Sequence, residues 1–139
     1  MTSNRSMPPG IIIPELAYAD VRAAVDWLCR TFGFRERLRI GDHRAQLVLD
    51  GAAVIVTQLA GTASPPHVGH AIMVRTADVD GHYAHTRACG AKVSGAPANF
   101  PYGERQYSVE DIGGHRWTFS QSIAAVAPAD WGGTWFDIT

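Results

Sequence analysis

Apolar side chains at Val21, Ala24, Val25, Leu28, Cys29 and Phe32 recur at i, i+3, i+4, i+7, i+8 and i+11, which draws one stripe down a helix. Asp20 stands where an N-cap belongs, and Gly33 ends the pattern. Around this helix the segments read as strands. Ile11 to Tyr18 reads as a first strand, with Pro14 admissible at an edge or a bulge. Phe34 to Ile40 alternates and Gly41-Asp42 turns the chain into a strand from His43 to Leu49. Asp50-Gly51 is a strong hairpin signal, and Ala52 to Leu59 follows it, which completes a β-α-β-β-β order.

The order then returns. Ala77-Asp78-Val79 repeats Ala19-Asp20-Val21 about 60 residues later, a spacing too long for a solenoid and suited to a duplicated half-domain. A strand from about Val68 to Thr76 leads to a helix from about Val79 to Cys89, closed by Gly90. Lys92 to Ser94, Arg105 to Val109 and His115 to Gln121 read as the remaining strands. Gly95 to Gly103, with two prolines and two aromatics, reads as a long loop with glycine-bounded ends that would permit a lid. The prediction is an α+β fold in which two repeated β-α-β-β-β modules form curled mixed sheets around a shared cleft. The modules span residues 11–60 and 67–121, joined by a linker at 61–66. A disordered tail, 1–10, precedes them, and an aromatic tail, 122–139, with Trp131, Trp135 and Phe136, follows.

Composition narrows the function classes. The 139 residues carry 12 basic and 13 acidic side chains with one lysine, Lys92, and no basic cluster, which argues against a nucleic-acid partner. No apolar run approaches the roughly 18 residues a membrane span needs, and residues 1–10 lack the apolar core of a signal peptide. A cytoplasmic setting is therefore expected, with Cys29 and Cys89 as reduced helix thiols.

The paired modules resemble the vicinal oxygen chelate superfamily of glyoxalases, bleomycin-resistance proteins and extradiol dioxygenases. The residues that carry the likeness are Tyr18-Ala19-Asp20-Val21, Trp27 to Phe34, Tyr102 to Val109, Asp111, and Gly114 to Phe119. The resemblance covers about residues 11 to 121 and implies isomerases, dioxygenases, transferases or pure binding proteins, so it fixes fold more than activity. It also implies a divalent metal held by His, Glu or Gln from both modules, acting as a Lewis acid. The corresponding positions here are Ile13, Val56, Ala71 and Thr118, none a strong ligand. A displaced set of Glu15, Gln58 and His70 would be the alternative, holding one ion such as Zn, Ni, Fe or Mn in a lyase, isomerase or dioxygenase.

No nucleophile elbow, zinc-protease motif or phosphate-cradling glycine loop appears, so no catalytic residue is assigned and binding is favoured over catalysis. His82 and His85 read as solvated or as packing on the outer side of the sheet. The expected ligand-binding residues are Glu15, Val56, Gln58, Met73, Arg75, Tyr102, Tyr107, Arg116 and Thr118, an apolar floor with a few polar handles and aromatic stacking partners. The resulting expectation is a metal-free, cofactor-free homodimer that binds a small organic ligand, such as an aromatic or cationic antibiotic or metabolite.

Overall fold

In the computed structural model, residues 3–61 and 69–136 are described, so residues 62–66 of the expected linker lie outside the described residues. The chain divides into two compact units. One runs up to Gly69 and includes the turn Asp111–His115; the other comprises His70–Glu110 and the residues from Arg116 onward.

The first unit is built from β1 (Glu15–Tyr18), α1 (Val21–Phe32), β2 (Arg35–Ile40), β3 (Arg44–Leu49) and β4 (Ala52–Gln58). The expected first strand is shorter than its apolar run: Ile11–Ile13 pairs with no strand, and Pro14 joins only through its carbonyl, which accepts from Ile55 N at 2.8 Å. α1 starts where Asp20 Oδ1 accepts from Ala23 N at 3.0 Å and stops at Gly33, whose φ of 83° lets its N–H reach Cys29 O. The β3–β4 hairpin turns through Asp50 and Gly51, both at positive φ, as the Asp-Gly pair predicted. Strand order is β1-β4-β3-β2, with β1 parallel to β4 and the other pairs antiparallel.

Register separates the two faces of this sheet. Leu16 pairs with Val56, Ala45 with Val56 and Leu47 with Val54, so these residues share a face with Tyr18. All are almost wholly buried, like the α1 stripe Val21, Ala24, Val25, Leu28 and Phe32. Arg22 of α1 ion-pairs with Glu36, the cross-strand partner of Leu47, which identifies this face as the one the helix covers. Glu15, Arg44, Gln46, Ile55 and Thr57 occupy the opposite face.

The second unit contains β5 (Ile72–Arg75), α2 (Val79–Ala88), β6 (Lys92–Val93), β7 (Ala98–Phe100), β8 (Glu104–Glu110) and β9 (Arg116–Ser122), followed by a short 3-10 helix at Pro128–Trp131. Asp78 Oδ1 caps α2 by accepting from Gly81 N at 3.1 Å. The strand order β5-β9-β8-β6 repeats that of the first sheet, so the two β-α-β-β-β modules are present. Ala98–Phe100, read from sequence as loop, is a strand that pairs with the start of β8. Trp117, Phe119, Tyr107 and Val109 pair with one another across β8 and β9 and are buried with Val79 and Thr86 of α2. Burying side chains of this size contributes roughly 1.5–3 kcal/mol each. No helix among the described residues is long and apolar enough to cross a membrane.

Candidate ligand site on the second sheet

The alternation along β8 and β9 sends Glu104, Gln106, Ser108, Arg116, Thr118 and Ser120 to the face that α2 does not cover. β5 adds Met73 opposite Thr118 and Arg75 opposite Ser120. The face is polar and internally wired. Tyr102 Oη donates to Gln106 Oε1 (3.0 Å), Gln106 Nε2 donates to Ser120 Oγ (3.0 Å), and Ser120 Oγ donates to Glu104 Oε1 (2.7 Å). Ser108 and Thr118 share a hydroxyl bond at 2.9 Å. The hydroxyls of Ser120 and then Ser122, with Arg75 nearby, hold the Glu104 carboxyl below the usual carboxylate range, so this end of the row is anionic. Because each hydrogen bond fixes the donor sense of the next, the Gln106 amide has one orientation.

A depression of about 210 Å³ opens over Gln106, Ser108 and Arg116, walled by Gly95, Ala96 and Phe100. Its origin lies in the sheet edge. β6 ends at Val93 after pairing with Val109, the chain leaves the edge through Ser94–Pro97, and β7 rejoins at Gln106. That excursion leaves the middle of β8 uncovered. Phe100 and Tyr102 stack beside it with centroids 5.5 Å apart and planes 12° from parallel, and Trp131 meets Tyr102 edge-on at 5.6 Å. Gly103 aims this pair: its φ is 83°, and an added Cβ would land on the carbonyl oxygen of Ala124, so only glycine fits. The rings remain partly exposed, as ledge rather than core.

The expected site residues divide. Met73, Arg75, Arg116 and Thr118 lie on this face, and Tyr102 stands at its rim. Tyr107 borders the depression, but its side chain turns away from this face. It pairs with Phe119, points under α2, and bonds to Thr86 Oγ1 at 2.9 Å, with His82 Nδ1 at 2.5 Å. In the first unit Val56 is fully buried on the face that α1 covers, because Leu16 and Ala45 flank it there. Gln58 shares that face by alternation and donates to Ala19 O, whereas Glu15 takes the opposite face and ion-pairs with Arg44 at 2.5 Å. Glu15 and Gln58 therefore cannot converge on one ion, and the displaced metal set fails on geometry. Among the described residues no three His, Cys, Asp or Glu side chains come together as ligands.

Gln106, Ser108 and Glu104 were missed from the sequence. The signal was present: Gln106 and Ser108 alternate with Tyr107 and Val109, and strand parity makes the latter pair core. His82, expected to pack on the outer side of the sheet or to be solvated, stacks on Phe119 at 4.0 Å, and burial, with a smaller effect of His85, lowers its pKa to about 4.

Residues 11–119 match the profile of the Glyoxalase/Bleomycin resistance protein/Dioxygenase superfamily. Among solved structures, TioX from Micromonospora sp. ML1 is 36% identical, with 85% of this chain and 100% of that chain covered and a TM-score of 0.68. TnmS3, an antibiotic binding protein from Streptomyces sp. CB03234, is 27% identical over 79% of this chain and 93% of its own, with a TM-score of 0.67. The fosfomycin resistance protein FosX from Listeria monocytogenes, 14% identical with 83% and 94% covered and a TM-score of 0.68, shares the fold alone. No curated protein gives a significant match. With two β-α-β-β-β modules, this sheet order and a profile match over most of its length, the chain belongs to the glyoxalase/bleomycin resistance/dioxygenase superfamily.

Proposed function

We propose that the protein binds a medium-sized organic molecule of antibiotic or metabolite type, without a metal and without chemistry on it, at the uncovered face of the second sheet. The observation that carries this reading is the stacked Phe100–Tyr102 pair standing beside a depression with an ordered polar floor. At about 210 Å³ the depression is smaller than the ~300 Å³ at which drug-sized sites begin, so it takes one ring or one head group while the aromatic ledge carries the rest. Arg116 supplies a cation on one side and the Glu104 carboxylate an anion on the other, which suits a ligand with a carbonyl-rich and a basic end. The relation to TnmS3, an antibiotic binding protein, supports the same ligand class.

Donor chemistry supports metal independence: Ile13, Ala71 and Thr118, which the family resemblance aligns with ligand positions, offer no strong donor, Val56 is turned under α1, and Glu15 and Gln58 face apart. We also place the protein in the cytoplasm as a homodimer. Free thiols at Cys29 and Cys89 support the first, and Ile11, Ile12, Trp135 and Phe136, all largely exposed, support the second.

The test is a panel of planar aromatic antibiotics titrated against intrinsic tryptophan fluorescence, with Trp131→Phe identifying the reporter. Phe100→Ala should weaken binding roughly 2- to 13-fold, the range for loss of one stacked ring worth ~0.5–1.5 kcal/mol. Binding that disappears with a chelator and returns with a divalent ion would overturn metal independence. Affinity untouched by Phe100→Ala and Arg116→Ala together would overturn the site.

A further inference from the structure

The uncovered face of the first sheet is not bare. Residues 3–10, expected to be a loose tail, lie on it through a turn in which Met7 N donates to Asn4 O (3.1 Å) and Ser6 N to Asn4 Oδ1 (3.0 Å). Two side chains of the sheet hold that turn. Arg37 Nη1 donates to Gln46 Oε1 at 2.6 Å, and its Nη2 donates to Arg5 O at 2.9 Å. Gln46 Nε2 donates to Ser6 O at 2.8 Å. A guanidinium can only donate, so Arg37 fixes the Gln46 amide with its oxygen inward and its N–H₂ outward. The pair thus presents two fixed N–H donors to two neighbouring carbonyls. Gln46 is 4% exposed and Pro8 is also buried.

This is an expensive arrangement for a mere cover. Arg37 spends Nη1 on Gln46 and offers Nη2, and Gln46 offers Nε2, so the two residues together aim one donor each at two adjacent carbonyl oxygens. What they read here is the chain's own backbone rather than a side chain. Because the segment is a turn and not a strand, its carbonyls at Arg5 and Ser6 both reach the sheet.

We infer that Arg37 and Gln46 form a second binding site, specific for a group carrying two neighbouring carbonyl oxygens, and that residues 4–8 occupy it as a built-in competitor. The site lies wholly within the first unit and stands apart from the ligand reading of the second sheet. A turn-forming peptide or an imide-like pair of carbonyls would displace the segment.

The experiment keeps the full chain. Ser6→Pro removes the N–H bonded to Asn4 Oδ1 and disfavours the turn conformation of Arg5, which opens the segment while leaving Arg37 and Gln46 in place. The probe is the synthetic peptide acetyl-Asn-Arg-Ser-Met-Pro-amide, its affinity measured by isothermal titration calorimetry. The expected result is binding to Ser6→Pro at least 10-fold tighter than to the unmodified chain, abolished when Gln46→Leu is added. In the otherwise unmodified chain, Gln46→Leu alone should speed hydrogen exchange of the Met7 amide at least 10-fold while β3 and β4 amides keep their protection. Equal peptide affinity for the two proteins, or Met7 exchange unmoved by Gln46→Leu, would overturn the inference. Circular dichroism identifies a variant that fails to fold, in which case Arg37→Met takes the place of Gln46→Leu in both measurements.

Discussion

Replacing Tyr18 by Phe removes one atom from a buried junction and should cost far more than its size suggests. Tyr18 Oη donates to Asp111 Oδ2 at 2.5 Å, and the other carboxylate oxygen of Asp111 accepts from Gly113 N (2.9 Å) and His115 N (3.0 Å). The His115 ring packs edge-on against Tyr18 at 4.8 Å and donates from Nε2 to Ala17 O at 2.8 Å. The turn Asp111–His115 is thus stitched to β1 within the first unit. Burial first, then the charge and hydrogen bond of Asp111, keep the Tyr18 hydroxyl protonated well above the ordinary phenol range, so it donates at every accessible pH. A hydrogen bond to a charged group contributes about 1.5–3 kcal/mol, and the variant leaves a buried carboxylate oxygen short of its donor without opening a cavity. The expected loss is therefore about 2–3 kcal/mol. With a urea slope of ~1.5–2 kcal/mol/M, within the range for small proteins, the midpoint should fall by about 1–2 M with the slope unchanged. Asp111→Asn keeps the Oδ1 acceptor but loses the one that Tyr18 needs, so the double variant should show a coupling of at least ~1 kcal/mol. A midpoint shift below about 0.3 M, or additive single effects, would refute the junction as a stabilising unit.

Three further outcomes follow from neighbouring geometry. An added Cβ at Gly113 would lie 2.5 Å from Tyr18 Cδ1 and 2.8 Å from Cε1, against a ring that is 2% exposed and cannot yield, so Gly113→Ala should destabilise by about 1–3 kcal/mol in the same urea assay. His82, at about 4 in the fold against roughly 6.5 unfolded, makes the unfolded state bind more protons between those values. Stability should be flat above pH 6.5 and fall on acidification toward pH 4; because the ring is only half-buried, screening holds the loss to the order of 1–2 kcal/mol, and His82→Gln should flatten the profile in that window. Asp20→Ala removes the α1 cap and should cost about 1 kcal/mol by chemical denaturation, with Asp20→Ser restoring most of it.

The local elements were legible in the sequence because local rules govern them. The stripe from Val21 to Phe32, the cap at Asp20 and the Asp50-Gly51 turn each depend on neighbours a few residues away, and the repeated order shows as the same local pattern met twice. Those features, with the resemblance they carry, were enough for the fold and the family. Facing was legible only in part. Tyr107, four residues past the end of the loop at Gly103, is expected with the ligand and borders the depression, but its side chain lies against Phe119 under α2, a cross-strand pairing not visible in sequence. Val56, Gln58 and Glu15 are expected at one site from the sequence, yet strand alternation alone does not say how β1 and β4 are offset. Register decides that, and it pairs Glu15 with Ile55, which turns the set apart.

By itself, then, the sequence determined both helices, most of the strands, and that the module occurs twice. Only the tertiary structure decided which side chains share a surface. The Gln106–Ser120–Glu104 row, the depression left where the chain departs from β8 at Ser94, and the Arg37–Gln46 clasp on residues 4–8 all join groups distant along the chain. Such contacts are set by strand offset and by the path of irregular segments, whose energies come from packing and hydrogen bonds between partners that no local pattern pairs.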